Sequence, residues 1–122
     1  MTLICGRVNF FSGPHLVFKY WLRGKFMRII IVGCGKVGSS IASELNLEGH
    51  EISVVDINHG AVDKLANSLD VLGIEGNGAT YDVLIEAGAE YADLLIAATA
   101  RDEINLYSCL MAKAAGVTHT IA

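Results

Sequence analysis

The chain has 122 residues, of which 52% are hydrophobic and 18% charged, with a single proline; that fits one folded domain with little room for disorder. Mean hydropathy is +0.46, yet no run approaches the roughly 20 apolar residues of a membrane-spanning helix, so buried strands are the expected source. The net charge of −4 is uneven: Arg7, Lys19, Arg23 and Lys25 fall in residues 1–26 with no acid, leaving five of the nine Lys and Arg against all 13 Asp and Glu, which excludes a nucleic-acid partner for the remainder.

Residues 1–26 read differently from the rest. They hold Phe10, Phe11, Phe18, Tyr20, Trp21 and Phe26 with no helical or alternating period, and no basic stretch precedes an apolar core as in a secretory signal. Because Met27 stands directly before a strand, this segment is expected to be an extension, non-native or disordered. The competing reading is a basic, aromatic arm on a membrane or partner surface, which the missing amphipathic period disfavours.

From Arg28 the chain alternates. Arg28 to Val32 is a β-branched run suited to a strand covered on both faces. A helix follows with Val37, Ile41 and Leu45 at i+4 spacing and Gly49 as its stop. Glu51 to Val55 is the second strand, ending at Asp56. A helix around Ala61, Leu65 and Leu69 leads to a strand over Val71 to Ile74. After Gly76-Asn77-Gly78 a helix runs to Ala87 and stops at Gly88. Leu94 to Ala98 is the fourth strand, Asp102 to Ala115 a long helix stopped by Gly116, and Thr118 to Ala122 begins a fifth strand. Such alternation predicts an α/β protein, a Rossmann-type doubly wound parallel sheet in three layers, over residues 27–122. The expected strand order is 3-2-1-4-5, cut short at the fifth strand, with ligands at the carboxyl edge where the winding reverses.

The candidate site sits on that edge. Gly33-Cys34-Gly35-Lys36-Val37-Gly38 has the spacing of a dinucleotide turn: Gly33 for the tight exit from the strand, Gly35 for close approach of a pyrophosphate, and Gly38 for helix–strand packing. The anion would lie against free N–H groups at the start of the helix. Asp56, 21 residues after Gly35, is placed to accept from ribose hydroxyls and to repel a 2′-phosphate, favouring NAD(H) over NADP(H), although the ribose of ATP or ADP suits it equally. Ile57 follows it. Gly76-Asn77-Gly78-Ala79-Thr80 offers small residues and one amide to flank an adenine, or is plain turn chemistry with Thr80 as a helix cap. Ala98 and Thr99 end the fourth strand beside the switch point, and Asp102, Glu103 and Asn105 open the long helix as an acidic first turn.

Cys5, Cys34 and Cys109 show no metal spacing, and their odd, scattered count suits a reducing cytoplasm. Cys34 lies where a helix N-terminus can lower a thiol pKa, though a small residue is also required there sterically; Cys109 reads as core. No nucleophile–base pair, metal cluster or acid–base set can be named, so the expectation is a binding module and not an enzyme.

The stretches Ile30 to Gly38, Val54-Val55-Asp56, Gly76 to Thr80, Glu86-Ala87-Gly88, and Asp93 to Thr99 leading into Asp102 to Leu106 resemble the KTN/RCK (TrkA N-terminal) domains of bacterial Trk potassium uptake. The resemblance implies a cytoplasmic regulator, peripheral to the inner face of the cell membrane, that binds NAD(H) or an adenine nucleotide without turning it over. It also implies a homodimer or higher ring on a membrane-embedded potassium-translocating subunit. By the same resemblance, Gly33, Gly35, Lys36, Val37 and Gly38 contact phosphates and Asp56 the ribose, Asn77 and Ala79 flank the adenine with Gly78 between them, and Thr99 lies near the distal half. Two departures stand out: Asn77 occupies a place where many relatives have Asp, and the sequence ends before a sixth strand and C-terminal subdomain, as a fragment would. The alternative is the cofactor domain of an NAD-dependent oxidoreductase without its catalytic domain. A methyltransferase fits less well, since Ile31 and Val32, not an acid, precede Gly33.

Overall fold

The computed structural model describes residues 2–5, 9–11 and 26–122. The expectation of an extension over residues 1–26 lies mostly outside them. Within that segment, strands β1 (Thr2–Cys5) and β2 (Asn9–Phe11) pair antiparallel with each other. From Arg28 the elements are β3 (Arg28–Val32), α1 (Lys36–Leu47), β4 (Glu51–Asp56), α2 (His59–Ser68), β5 (Leu72–Glu75) and α3 (Tyr81–Glu86). A 3-10 turn (Ala89–Tyr91), β6 (Leu94–Ala97), α4 (Asp102–Ala115) and β7 (His119–Ile121) complete the chain.

The sheet runs β2-β1-β7-β6-β3-β4-β5. Its five strands from β3 to β7 are all parallel and, counted from Arg28, stand in the expected order 3-2-1-4-5. β1 joins antiparallel to β7 and carries the sheet beyond that edge.

Side-chain alternation explains the three layers. Ile30, Val32, Val55, Ile74, Leu95 and Ala97 point to one face and pack under α3 and α4, through Leu84, Cys109 and Ala112. Their neighbours Ile29, Ile31, Ile52, Val54, Leu94 and Ile96 point to the other, where Ala42 and Leu45 of α1 and Val62 and Leu65 of α2 cover them. Both faces of β3 and β6 are buried, which is why those strands read as unbroken apolar runs.

Boundaries follow local chemistry. Gly49 and Gly116 end α1 and α4 in the left-handed conformation, at φ +86° and +110°, as their sequence positions suggest. The helix expected to run to Ala87 and stop at Gly88 is α3, six residues long with Ala87 as its C-cap and Gly88 at φ +96°, after which the chain tightens into the 3-10 turn. The apolar face of α1 is also rotated from the one read in sequence. Gly38, Ala42 and Leu45 are buried, whereas Val37 is 60% exposed. Packing of the Gly38 backbone against the glycine turn sets that rotation, and hydropathy carries no signal of it.

Candidate functional site

The carboxyl ends of β3, β4, β5 and β6 meet around the glycine turn. Gly33 N–H donates to Val55 O at 2.7 Å, Ala98 N–H to Val32 O at 2.8 Å, and Gly76 N–H to Asp56 O at 2.9 Å, so the four loops leaving these strands are stitched into one edge.

The three motif glycines differ in what surrounds them. Gly33 has φ +112°, and a Cβ on it would lie 2.7 Å from Ala98 O. A Cβ on Gly38 would lie 1.8 Å from Gly33 O. Both are therefore demanded by the fold. Gly35 is the opposite case: it caps α1 with φ −75°, is exposed, and among the described residues has no atom within 4 Å of its would-be Cβ. No contact among the described residues requires a glycine there. The first N–H groups of α1 have no intrahelical acceptor, Gly35 supplies no capping side chain, and the first turn holds no acid but begins with Lys36. A cation at a helix N-terminus opposes the macrodipole, and a bound anion relieves that conflict.

Asp56 ends β4 half-buried, and both of its oxygens are engaged. Oδ2 accepts from Cys34 N–H of the glycine turn at 2.7 Å, and Oδ1 from Asn58 N–H at 2.9 Å. Each carboxylate oxygen keeps a second lone pair for a ligand hydroxyl. Asp56 is not a helix cap: that place belongs to Asn58, whose side chain accepts from Ala61 N–H at 3.1 Å. Ile57 stands beside it, 74% exposed. At the next loop Asn77 Oδ1 accepts from Ala79 N–H at 2.9 Å, and the Thr80 hydroxyl donates back to Asn77 O at 2.8 Å. Thr80 thus occupies the cap position of α3 without a side-chain cap bond.

The sequence places Asn105 in the acidic first turn of the long helix, yet its side chain also holds the fourth loop. Its Oδ1 accepts from Thr99 N–H at 2.9 Å and from the Thr99 hydroxyl at 2.6 Å, and its Nδ2 donates to Thr99 O at 3.1 Å. The amide reproduces a backbone pairing and fixes Ala98-Thr99 against Gly33. A Thr-x5-Asn spacing across a strand–helix junction is the only trace in sequence. His59, at the start of α2 on the same edge, is likewise held between Asp63 at 2.9 Å and Glu75 at 3.1 Å.

Cys34 is buried in the turn. Burial first, and the Asp56 charge second, push its thiol up to about 11. The local field thus opposes the lowering that a helix N-terminus alone would give, and the thiol stays protonated at neutral pH. Cys109 is fully buried, as expected. Among the described residues no group of His, Cys, Asp or Glu is arranged to hold a metal ion, and no helix is long and apolar enough to cross a membrane. A cavity of about 440 Å³ opens between Arg28, Ser53, Leu72 and Tyr91. It lies at the amino ends of β3 to β5, across the sheet from the glycine turn.

Residues 29–122 match the family model for the TrkA-N domain. The chain belongs to the TrkA-N domain family. The Trk system potassium uptake protein TrkA of Azorhizobium caulinodans is 42% identical over 83 residues, covering 68% of this chain and 18% of that protein. A TrkA homolog from Archaeoglobus fulgidus is 39% identical over 95 residues, 78% of this chain and 21% of that one. The chain therefore spans about a fifth of these relatives' length. Among solved structures, the Shewanella denitrificans Kef CTD in AMP-bound form superposes with a TM-score of 0.62 at 26% identity, over 71% of this chain and 52% of that one. The TrkA-N domain of inner membrane protein ybaL from Escherichia coli gives 0.65 at 24%, over 76% and 68%. L-sorbose reductase from Gluconobacter frateurii, complexed with NADPH and L-sorbose, gives 0.55 at 24%, over 75% and 44%; these last two identities speak to the fold alone.

Proposed function

We propose that this domain binds NAD(H), or alternatively ATP or ADP, as the ligand-sensing part of a cytoplasmic regulator of potassium uptake. The observation that carries the reading is Gly35. It is the one motif glycine whose missing side chain leaves space that no atom of the described residues fills, directly over the N-terminus of α1. A diphosphate seated there would receive α1 N–H groups and Lys36, with Val37 and Gly38 contributing backbone. Asp56 and Ile57 would meet the ribose, Asn77, Gly78 and Ala79 the adenine, and Ala98 and Thr99 the distal half.

Potassium uptake is supported by the names of the relatives, and adenine nucleotides by the AMP held by the Kef CTD. In this reading the ligand is bound and exchanged, not converted. The regulator sits at the inner face of the membrane and acts on a membrane-embedded potassium-translocating subunit, whose states must differ in ligand affinity for binding to bias them. A homodimer or higher ring is supported by α4, where Leu106, Tyr107, Leu110 and Met111 are 40%, 54%, 52% and 41% exposed. Their spacing is symmetric about the helix midpoint, so a two-fold axis there sets the stripe against its own copy.

A thermal-shift panel of NAD, NADH, NADP, ATP and ADP tests the reading, because a ligand bound only to the folded state raises Tm by mass action. NAD(H) or an adenine nucleotide at about 100 times its Kd should stabilise by roughly 2.7 kcal/mol. No shift with any of the five at millimolar concentration would overturn nucleotide sensing. Steady oxidation or reduction of the dinucleotide by the intact protein would instead favour an oxidoreductase. Co-purification with a potassium-translocating membrane subunit tests the partner.

A further inference from the structure

We infer that Asn77 sets base selectivity at this site, reading the purine as a hydrogen-bond donor, so that 6-oxo purine nucleotides are admitted at least as well as adenine nucleotides. The inference rests on the nucleotide-binding reading above and deepens it.

Position comes first. β5 pairs with β4 as far as Asp56 opposite Glu75, and Gly76 N–H then donates to Asp56 O. Two residues later the chain presses so closely on β3 that a Cβ on Gly78 would lie 2.4 Å from Val32 Cγ1. Val32 immediately precedes Gly33. The loop therefore leaves the sheet from β5, on the far side of β4 from the glycine turn, and Asn77 stands in it, exposed, one residue past the contact with Asp56 and so on the ribose acceptor's outer side, where a base would lie beyond its ribose.

Orientation comes second. A carboxamide has one end that accepts and one that donates, and only the oxygen can take a hydrogen bond from an N–H. Ala79 N–H lies 2.9 Å from Asn77 Oδ1, which assigns the oxygen to the turn. Thr80 holds the same residue from behind, its N–H and its hydroxyl donating to Asn77 O at 3.0 and 2.8 Å. The NH2 end is left facing away from the turn. An aspartate here would accept the same Ala79 N–H with one oxygen and present the other outward as an acceptor.

The chemical consequence is an inverted polarity. An outward acceptor selects the exocyclic amine of adenine and rejects a 6-oxo group, whose lone pairs would face its own. An outward donor is satisfied by a ring nitrogen or by the 6-oxo oxygen, so selection for the amine is lost at this contact.

Calorimetric titration of the intact protein with AMP and IMP tests this, on the wild type, Asn77→Asp and Asn77→Ala. The wild type should bind IMP within about twofold of AMP or tighter. Asn77→Asp should move the AMP-to-IMP affinity ratio toward AMP by about tenfold, the scale of one good hydrogen bond, and Asn77→Ala should fall between. A tenfold preference for AMP in the wild type would overturn the inference, as would a ratio that Asn77→Asp leaves within twofold. Those failures leave nucleotide binding standing. If neither nucleotide binds to folded wild type, this inference falls while the thermal-shift panel of NAD, NADH, NADP, ATP and ADP still decides nucleotide binding itself, and unaltered melting curves of the two variants separate lost binding from lost fold.

Discussion

Gly38→Ala and Gly35→Ala, the same one-methyl change three residues apart, should fail in opposite ways. In Gly38→Ala the new Cβ would sit 1.8 Å from Gly33 O and 2.8 Å from Gly33 C. Those are backbone atoms of a turn held by Val55, so no rotamer change relieves the clash and α1 must lift off β3. Overpacking of this kind costs about 3 kcal/mol or more, which should lower Tm by roughly 10–20 °C in a domain of this size. Gly35→Ala meets nothing within 4 Å among the described residues, and its φ of −75° and ψ of −163° are open to any L-residue. Its unliganded Tm should stay within about 2 °C of wild type, given how little an exposed cap glycine changes. The methyl instead fills the space offered to the diphosphate, and the ligand-induced shift should disappear. Melting curves with and without NAD and ADP read both effects at once. A Gly35→Ala variant that kept its full ligand shift would remove the main support for the phosphate cradle.

This contrast marks what sequence could and could not reveal. The strand–helix alternation and the stops at Gly49 and Gly116 are written in local periodicity and glycine placement, which depend on near neighbours, and the strand order follows from that alternation through the handedness of the crossovers. The spacing of Gly33, Gly35 and Gly38 is equally plain, but the division of labour among them is not, because it turns on Ala98 O and the Gly33 carbonyl across the edge. The exposed Val37 has the same origin: hydropathy puts it on the buried stripe, and the Gly38 contact rotates it to solvent. Asn105 was legible only as a polar residue in an acidic turn, since its pairing with Thr99 needs the β6–α4 loop to fold back. Asp56 shows the limit most clearly. Its distance from Gly35 marks it as a ligand for ribose, while its bond to Cys34 N–H, 22 residues away, emerges only when β4 lies beside β3.

That second task of Asp56 makes its replacement the other large effect. Asp56→Ala removes the acceptor of two backbone N–H groups, at 2.7 and 2.9 Å, and hydrogen bonds to a charged acceptor contribute about 1.5–3 kcal/mol each. The free protein should therefore melt earlier as well as bind NAD more weakly, and a fall in affinity alone would not establish ribose contact. Asp56→Asn separates the two. It keeps one oxygen for Cys34 N–H, forfeits the bond from Asn58 N–H, and withdraws the negative charge that repels a 2′-phosphate. Discrimination of NAD over NADP should then drop by about tenfold or more, a change of at least roughly 1.4 kcal/mol that an effect on the turn alone would not produce. The thiol of Cys34 reports the same charge independently. In the wild type it titrates at about 11, above its ordinary 9.0, through burial and then through Asp56. The folded state thus holds this proton more tightly than the unfolded chain. The stabilisation is whole below about pH 9 and is lost as the pH rises toward 11. Without the Asp56 charge the upper limit of that window should move down while burial keeps it above 9.0. Alkaline melts and thiol alkylation rates of wild type and Asp56→Asn measure the displacement. An unchanged alkaline profile together with unchanged NADP rejection would show that the Asp56 carboxylate exerts no field on the turn or on the ligand beside it.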